Sequence, residues 1–263
     1  MTYMIIKVLS FSPTGTTKRV LDAIIEGIDV DMDEYYDLTI INESENNHIT
    51  FGAEDLILIG APVYSGRLPI QAAHALRHFY GQGSPVVLVC VYGNRAFEDA
   101  LLEMSDIVIE QGFEPIAAAA YIGEHSFSSD ENPIAVGRPD AEDLENASLF
   151  GRKLKAIIEG VSRKTILIPG NRPYRERSPK ANVSPSTNEK ICIQCGICVK
   201  VCPTSAISLK ESITTDTAKC LLCCACIKSC PVQARYMGVP ELHQLASQLS
   251  ARLIERREPE WFI

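Results

Sequence analysis

No apolar stretch in the 263 residues approaches the roughly 20 that a membrane helix needs. A basic leader ending in small residues is missing too: the N-terminus, MTYMIIKVLSF, reads as a strand, which points to the cytoplasm. No G-x-G-x-x-G and no P-loop lysine pattern is present, so neither a dinucleotide nor ATP is the expected ligand. Positive charge is scarce in residues 1–159, with 10 Lys and Arg against 25 Asp and Glu. That balance argues against nucleic acid as a partner, because such binding depends on neutralising phosphates. Cysteine is almost absent from the same region. Cys90 stands alone in the apolar run PVVLVCVYG and reads as core.

What the first region lacks, the last third concentrates. Eight of the ten cysteines fall within 39 residues, in two runs of C-x2-C-x2-C-x3-C-P: CIQCGICVKVCP from Cys192 and CLLCCACIKSCP from Cys220. In a cytoplasmic chain such clusters bind metal more often than they form disulfides. A zinc site pairs separated C-x-x-C knuckles, often with histidine, and only His125 lies between Tyr80 and His243. The spacing is that of two-cluster iron–sulfur proteins, in which the cysteine before proline crosses to the other cluster. It assigns one [4Fe–4S] cluster to Cys192, Cys195, Cys198 and Cys230, and the other to Cys220, Cys223, Cys226 and Cys202. AISL after the first run supplies a short covering strand, and Cys224 reads as a packed neighbour of the second cluster.

Residues 1–160 alternate strand-like runs with amphipathic stretches. MIIKVLSFS, EYYDLTII, EDLILIGAPVY, PVVLVCVYG and EPIAAAAYIG read as five strands, with helices between and after them, including one over IQAAHALRHFYG. The expectation is an α/β fold, a doubly wound five-stranded parallel sheet whose ligand sits at the carboxyl ends of the strands. The loop SPTGTT after the first strand offers Ser12, Thr14, Thr16 and Thr17, with Gly15, at a helix N-terminus. It suits either a phosphate held by neutral donors or an ordinary capped helix start. Tyr64, Tyr92 and Phe97, in the loops after the third and fourth strands, are placed to stack on a flat ring. His125, in GEHSF, is either a backbone-bonded loop residue or a proton donor on the wall of the site.

Taken together, SPTGTT, APVYSGRLP, VYGNRAFEDAL, GEHSF, the linker PGNRPY and the double cysteine run resemble the flavodoxin–ferredoxin fusion proteins of anaerobic bacteria and archaea. The resemblance implies FMN, with its phosphate at Ser12–Thr17. It implies a flavin ring between Pro62, Val63, Tyr64, Ser65, Gly66 and Arg67 on one side and Tyr92, Gly93, Asn94 and Arg95 on the other. The expected organisation is a flavodoxin-like domain over 1–160, a Pro/Arg-rich strap over 161–187, a small α+β two-cluster ferredoxin domain over 188–238, and a C-terminal helix and tail over 239–263. Residues 160–187 carry six Lys and Arg against one acid, and are expected to lie on the acidic first domain. Leu242, Leu245, Leu249 and Leu253 form a stripe on the last helix, and Trp261 and Phe262 either pin the end down or contribute to a homodimer contact.

Three functional classes follow. The first is a soluble carrier passing electrons between FMN and two clusters, with low-potential redox proteins (a ferredoxin or an oxidoreductase) as partners. The second is an FMN-dependent reductase of a small organic substrate, with the clusters as its wire. The third, a redox sensor without turnover, fits a two-cofactor design poorly.

Overall fold

The computed structural model describes residues 5–30, 32–40, 48–160, 166–177 and 182–263. The first unit runs β1 (Ile5–Ser10), α1 (Thr16–Ile28), β2 (Met32–Asp37), β3 (Ile49–Phe51), β4 (Asp55–Pro62), α2 (Ile70–Leu76), β5 (Phe79–Gly81), β6 (Pro85–Tyr92), α3 (Ala100–Glu110), β7 (Glu114–Ile122) and α4 (Ala141–Glu159). The second holds β8 (Ser186–Thr187), α5 (Ile197–Lys200), β9 (Ile207–Leu209), β10 (Ile213–Thr215), α6 (Ala225–Lys228) and β11 (Arg235–Tyr236). Then come α7 (Pro240–Arg252) and β12 (Glu260–Phe262).

The main sheet has the order β12-β7-β6-β4-β1-β2. Its five parallel strands stand in the order second, first, third, fourth, fifth, which is the flavodoxin-like doubly wound arrangement. The order reverses between β1 and β4, so the loops leaving β1, β4, β6 and β7 gather at one edge. β6 is buried at every residue and β4 at all but Pro62, because helices cover both faces of the sheet. On one face α1 and α4 cross closely enough that a Cβ on Gly27 would stand 2.0 Å from the Ser148 carbonyl oxygen, and one on Gly151 2.1 Å from that of Ile24. Only glycine allows that crossing.

Two features depart from the sequence pattern. The helix expected over IQAAHALRHFYG ends at Leu76. Phe79–Gly81 instead pairs in parallel with β3, and Phe79 packs on Phe51 and Tyr36 with ring centroids 6.1 and 5.4 Å apart. Cross-strand aromatic packing overrides helical spacing there. A sixth strand, β12, also joins the sheet antiparallel to β7, with Trp261 opposite Ala119. Three residues at a chain end carry no period from which a strand could be read.

Candidate cofactor sites

The loop after β1 is a cradle of neutral donors. Gly15 N–H donates to the Ser12 carbonyl at 3.0 Å, and Gly15, at φ +79°, turns the chain into α1. The Ser12 hydroxyl accepts from Lys18 N–H at 3.0 Å, which caps the helix and leaves its own proton to donate. Thr14 and Thr16 hydroxyls lie 3.2 Å apart. Thr17 is fully buried and its Oγ1 has no partner in the chain. A buried hydroxyl left unpaired is costly, and an oxygen-rich ligand at the helix N-terminus would satisfy it. The neighbouring cations are engaged elsewhere: Lys18 with Asp22 at 2.7 Å, and Arg19 with the Pro139 carbonyl at 2.8 Å. The donor set therefore fits a phosphate monoester held without a counter-cation.

The side loops divide between backbone and side-chain roles. Tyr64 and Arg67 close a two-residue turn by mutual backbone bonds of 2.9 and 3.2 Å, with Ser65 and Gly66 at positive φ, while Val63 N–H reaches the Val91 carbonyl. Pro62 ends β4. Arg67 is not free for a ligand: its guanidinium chelates Glu103 at 2.8 and 2.9 Å, donates to the Arg175 carbonyl at 2.8 Å and sits 4.5 Å from the Tyr174 ring centroid. Arg95 is held by Glu98, and Asn94 by the C-terminal tail. Tyr92 and Phe97 pack on each other at 5.6 Å, and Phe97 on Phe262 at 6.3 Å, which makes them part of the core rather than an open stacking face.

His125 lies directly against the backbone of Gly93, where a Cβ would stand 2.3 Å from its Cδ2. Its Nδ1 accepts from Phe127 N–H at 3.0 Å. Burial first, then the nearby positive charges of Arg95 and Lys228, pulls its pKa down to about 4. The imidazole is therefore neutral at pH 7 with its proton on Nε2, a hydrogen-bond donor rather than an acid.

The cysteines stand around two cavities of nearly equal size. One is lined by Cys192, Cys195, Cys198 and Cys230, the other by Cys202, Cys220, Cys223 and Cys226 with Cys224 beside them, and each encloses about 20 Å³. These are the two crossed sets that the spacing assigns. The runs repeat in backbone as well as sequence. Gln194 and Leu222, Gly196 and Cys224, and Ser205 and Gln233 are all at positive φ, each pair at matching places in the repeat. Ala206 N–H points at Cys202 Sγ at 3.3 Å, and Ala234 N–H at Cys230 Sγ at 3.2 Å. Burial alone would raise the Cys230 thiol, but backbone N–H groups of Arg235, Val232, Ala234 and Gln233 bring it below its ordinary value. Arg235 is buried between the cavities, lines both, and donates to Cys226 Sγ at 3.6 Å. Among the described residues no three thiols, imidazoles or carboxylates close on a single metal ion. The C-x2-C-x2-C-x3-C-P spacing fits a cluster better than the separated knuckles of a tetrahedral zinc site. Ile207 and Ile213, on β9 and β10, cover Cys198 and Cys226 as the AISL strand anticipates.

Residues 191–234 match the family model described as a 4Fe-4S dicluster domain. The layout matches a flavodoxin–ferredoxin fusion. Among solved structures, the flavodoxin-like unit is similar to a flavodoxin from the domain Archaea, at 16% identity over 60% of this chain and 100% of that one, with a TM-score of 0.39. Oxidised Flavodoxin 1 from Bacillus cereus shares 16% identity over 60% of this chain and 98% of its own, with a TM-score of 0.40. The flavodoxin of Streptococcus pneumonia TIGR4 shares 18% over 58% and 97%, with a TM-score of 0.38. No curated protein matches. The order of the strands, rather than these scores, carries the fold.

The ferredoxin-like unit is seated on the flavodoxin-like one. Leu221 packs against the hydrophobic core of the flavodoxin-like unit. Lys228 pairs with Glu124 and donates to the Ser128 carbonyl at 3.2 Å. Burial pushes the Tyr64 phenol well above its ordinary value, with Cys223 and Cys224 close enough to add to the shift. The cavity of Cys202, Cys220, Cys223 and Cys226 thus faces the flavodoxin-like unit, whereas Cys195, on the other cavity, is exposed between exposed Ile193 and the α5 turn. The connecting strap lies along α3. Asp99 accepts from the N–H groups of Asn171 and Arg175 at 2.8 and 2.7 Å, Arg177 pairs with Glu103 at 2.6 Å, and Arg172 and Tyr174 both bond Asp106. Residues 161–165 and 178–181 of the strap lie outside the described residues.

Proposed function

We propose that the chain is an electron-transfer protein that holds FMN in its flavodoxin-like unit and two [4Fe–4S] clusters in its ferredoxin-like unit. When bound, flavin exchanges electrons in pairs and each cluster exchanges them singly. Ser12, Thr14, Thr16 and Thr17, with the first amides of α1, would hold the phosphate; the loops of Pro62–Arg67, Tyr92–Arg95 and Gly123–Phe127 would flank the ring. The eight cysteines would hold the clusters in the crossed sets given above.

One observation carries this reading: Leu221, which lines the thiol cavity of Cys202, Cys220, Cys223 and Cys226, packs against the core of the flavodoxin-like unit. The chain fixes by folding a separation that independent carriers must find by diffusion. The strap, α7 and the tail hold it there. Residues 188–238 carry six Lys and Arg against three acids, and a low-potential redox protein is the partner class this design implies. Among the described residues no helix is long and apolar enough to cross a membrane. The reductase reading is weaker because the one imidazole at the site is held neutral, and a neutral imidazole is a poor proton donor at pH 7.

Anaerobically purified protein tests the proposal. It should contain about eight iron, about eight acid-labile sulfide and one FMN per chain. Zinc in place of iron, or iron without flavin after reconstitution with both, would sink it.

A further inference from the structure

Asn94 sits in the loop after β6 with only 3% of its surface exposed. Its φ of +61° is a left-handed conformation that asparagine tolerates better than most residues. Its side chain grips the chain terminus at three points. Nδ2 donates to the Leu253 carbonyl at 3.0 Å and the Glu255 carbonyl at 2.8 Å, and Oδ1 accepts from Arg257 N–H at 3.3 Å. An amide is the one side-chain group that can give two such protons and take a third in this space.

The gripped segment is itself anchored on both sides. Arg256 pairs with Asp140 at 2.6 Å, and Arg138, paired with Asp143, donates to the Arg257 carbonyl at 3.0 Å. Beyond these, Trp261 Nε1 donates to Tyr121 Oη and Asn146 Oδ1, both at 3.0 Å, and β12 closes the sheet edge. Upstream, α7 leaves the ferredoxin-like unit directly after β11 and crosses the loop after β7. There Ser250 donates to the Pro133 carbonyl at 2.8 Å, and His243 meets Glu131 at 3.2 Å. One segment, 240–263, therefore runs from the ferredoxin-like unit over two of the loops proposed to flank the flavin and ends locked in the sheet.

We infer that Asn94 is a positioning residue, and that through it the C-terminal tail sets the Tyr92–Arg95 loop for the flavin ring. The inference rests on the flavin reading above. Flavin affinity then depends on residues at the far end of the chain that touch no ligand.

Asn94→Gly keeps the positive φ and removes only the grip. Trp261→Ala loosens the tail without touching the loop. Each should weaken FMN binding, Asn94→Gly by about ten-fold, as expected for lost hydrogen bonds. Riboflavin should weaken by the same factor, because the phosphate cradle is untouched. The double variant should lose no more than the worse single one, since both cut the same connection. In flavin-free protein, amide exchange at residues 93–97 should quicken in both variants. FMN affinity within two-fold of the parent, a changed FMN-to-riboflavin ratio, or losses that multiply in the double variant would each overturn the inference. If the parent binds no flavin at all, the flavin reading fails, and the exchange measurement alone still decides whether the tail holds the loop.

Discussion

Glu103 is where the strap, α3 and the Tyr64 turn meet, and its removal should be costly. The carboxylate has an 8% exposed side chain and accepts four bonds: from Arg67 Nε at 2.8 Å and Nη2 at 2.9 Å, from Leu68 N–H at 3.0 Å, and from Arg177 Nη2 at 2.6 Å. Arg67 is only 12% exposed, so Glu103→Ala would leave its guanidinium nearly buried and without its carboxylate partner. Breaking a buried pair from one side costs about 3–5 kcal/mol. Arg177, at 33% exposed, can turn to water, which favours the lower end, about 3 kcal/mol. Glu110 lies on the same helix, but its pair with Arg77 is 50% and 61% exposed. Glu110→Ala should therefore cost no more than ~0.5 kcal/mol. Urea unfolding of the flavin-loaded protein, followed by flavin release, measures both. Limited trypsin digestion adds a local readout, because loss of the anchor should open the strap at Arg175 and Arg177. Equal costs for the two variants, or a Glu103→Ala strap as resistant as the parent's, would refute the reasoning.

Other outcomes follow from single side chains. Thr17→Val keeps the shape of the buried residue and removes its unpaired hydroxyl; FMN should bind several-fold more weakly and riboflavin almost unchanged, by flavin fluorescence titration. Cys202→Ser should disturb the iron site whose other thiols are Cys220, Cys223 and Cys226, while Cys195→Ser disturbs the other site and leaves flavin bound, with iron analysis and EPR as readouts. His125 has a folded pKa of about 4, below its ordinary 6.5, so the unfolded chain takes up the proton first as pH falls. Its contribution is fully present above pH 6.5, declines between 6.5 and 4, and amounts to up to ~3 kcal/mol. His125→Gln should flatten that part of the stability–pH curve, and an unchanged slope would show that the imidazole is not held neutral.

Much of this architecture is legible in the residues because the signals are local. Five apolar runs separated by amphipathic stretches specify a parallel sheet, and the two C-x2-C-x2-C-x3-C-P runs concentrate the thiols that line the two cavities. The side chains of the flavin loops were harder to read, because their partners come from distant parts of the chain. Arg67 and Arg95 look like ligand contacts until the strap and Glu98 are in place, and Asn94 looks like a ring contact until the tail reaches it. Tyr92 and Phe97 are placed at the strand end as a stacking pair would be, yet β12 brings Phe262 onto Phe97 and draws them into the core. The strap was legible through charge alone: its cations beside an acidic domain anticipate where it lies, though not that Arg177 meets Glu103, Arg172 meets Asp106 and Arg175 meets Glu98. The stripe on α7 is partly misread: Ala246 is its buried centre, while Leu245 is 40% exposed.

The central claim is that the two thiol sites and the flavin site work as one connected unit. Rapid mixing of the fully loaded protein with a limiting one-electron reductant, followed at cluster and flavin wavelengths, tests it most directly. After the initial reduction, electrons should redistribute between clusters and FMN at a rate independent of protein concentration, because the contacts of Leu221 and Lys228 with the flavodoxin-like unit make the exchange intramolecular. A redistribution rate that rises in proportion to protein concentration, or no redistribution at all, would contradict the account.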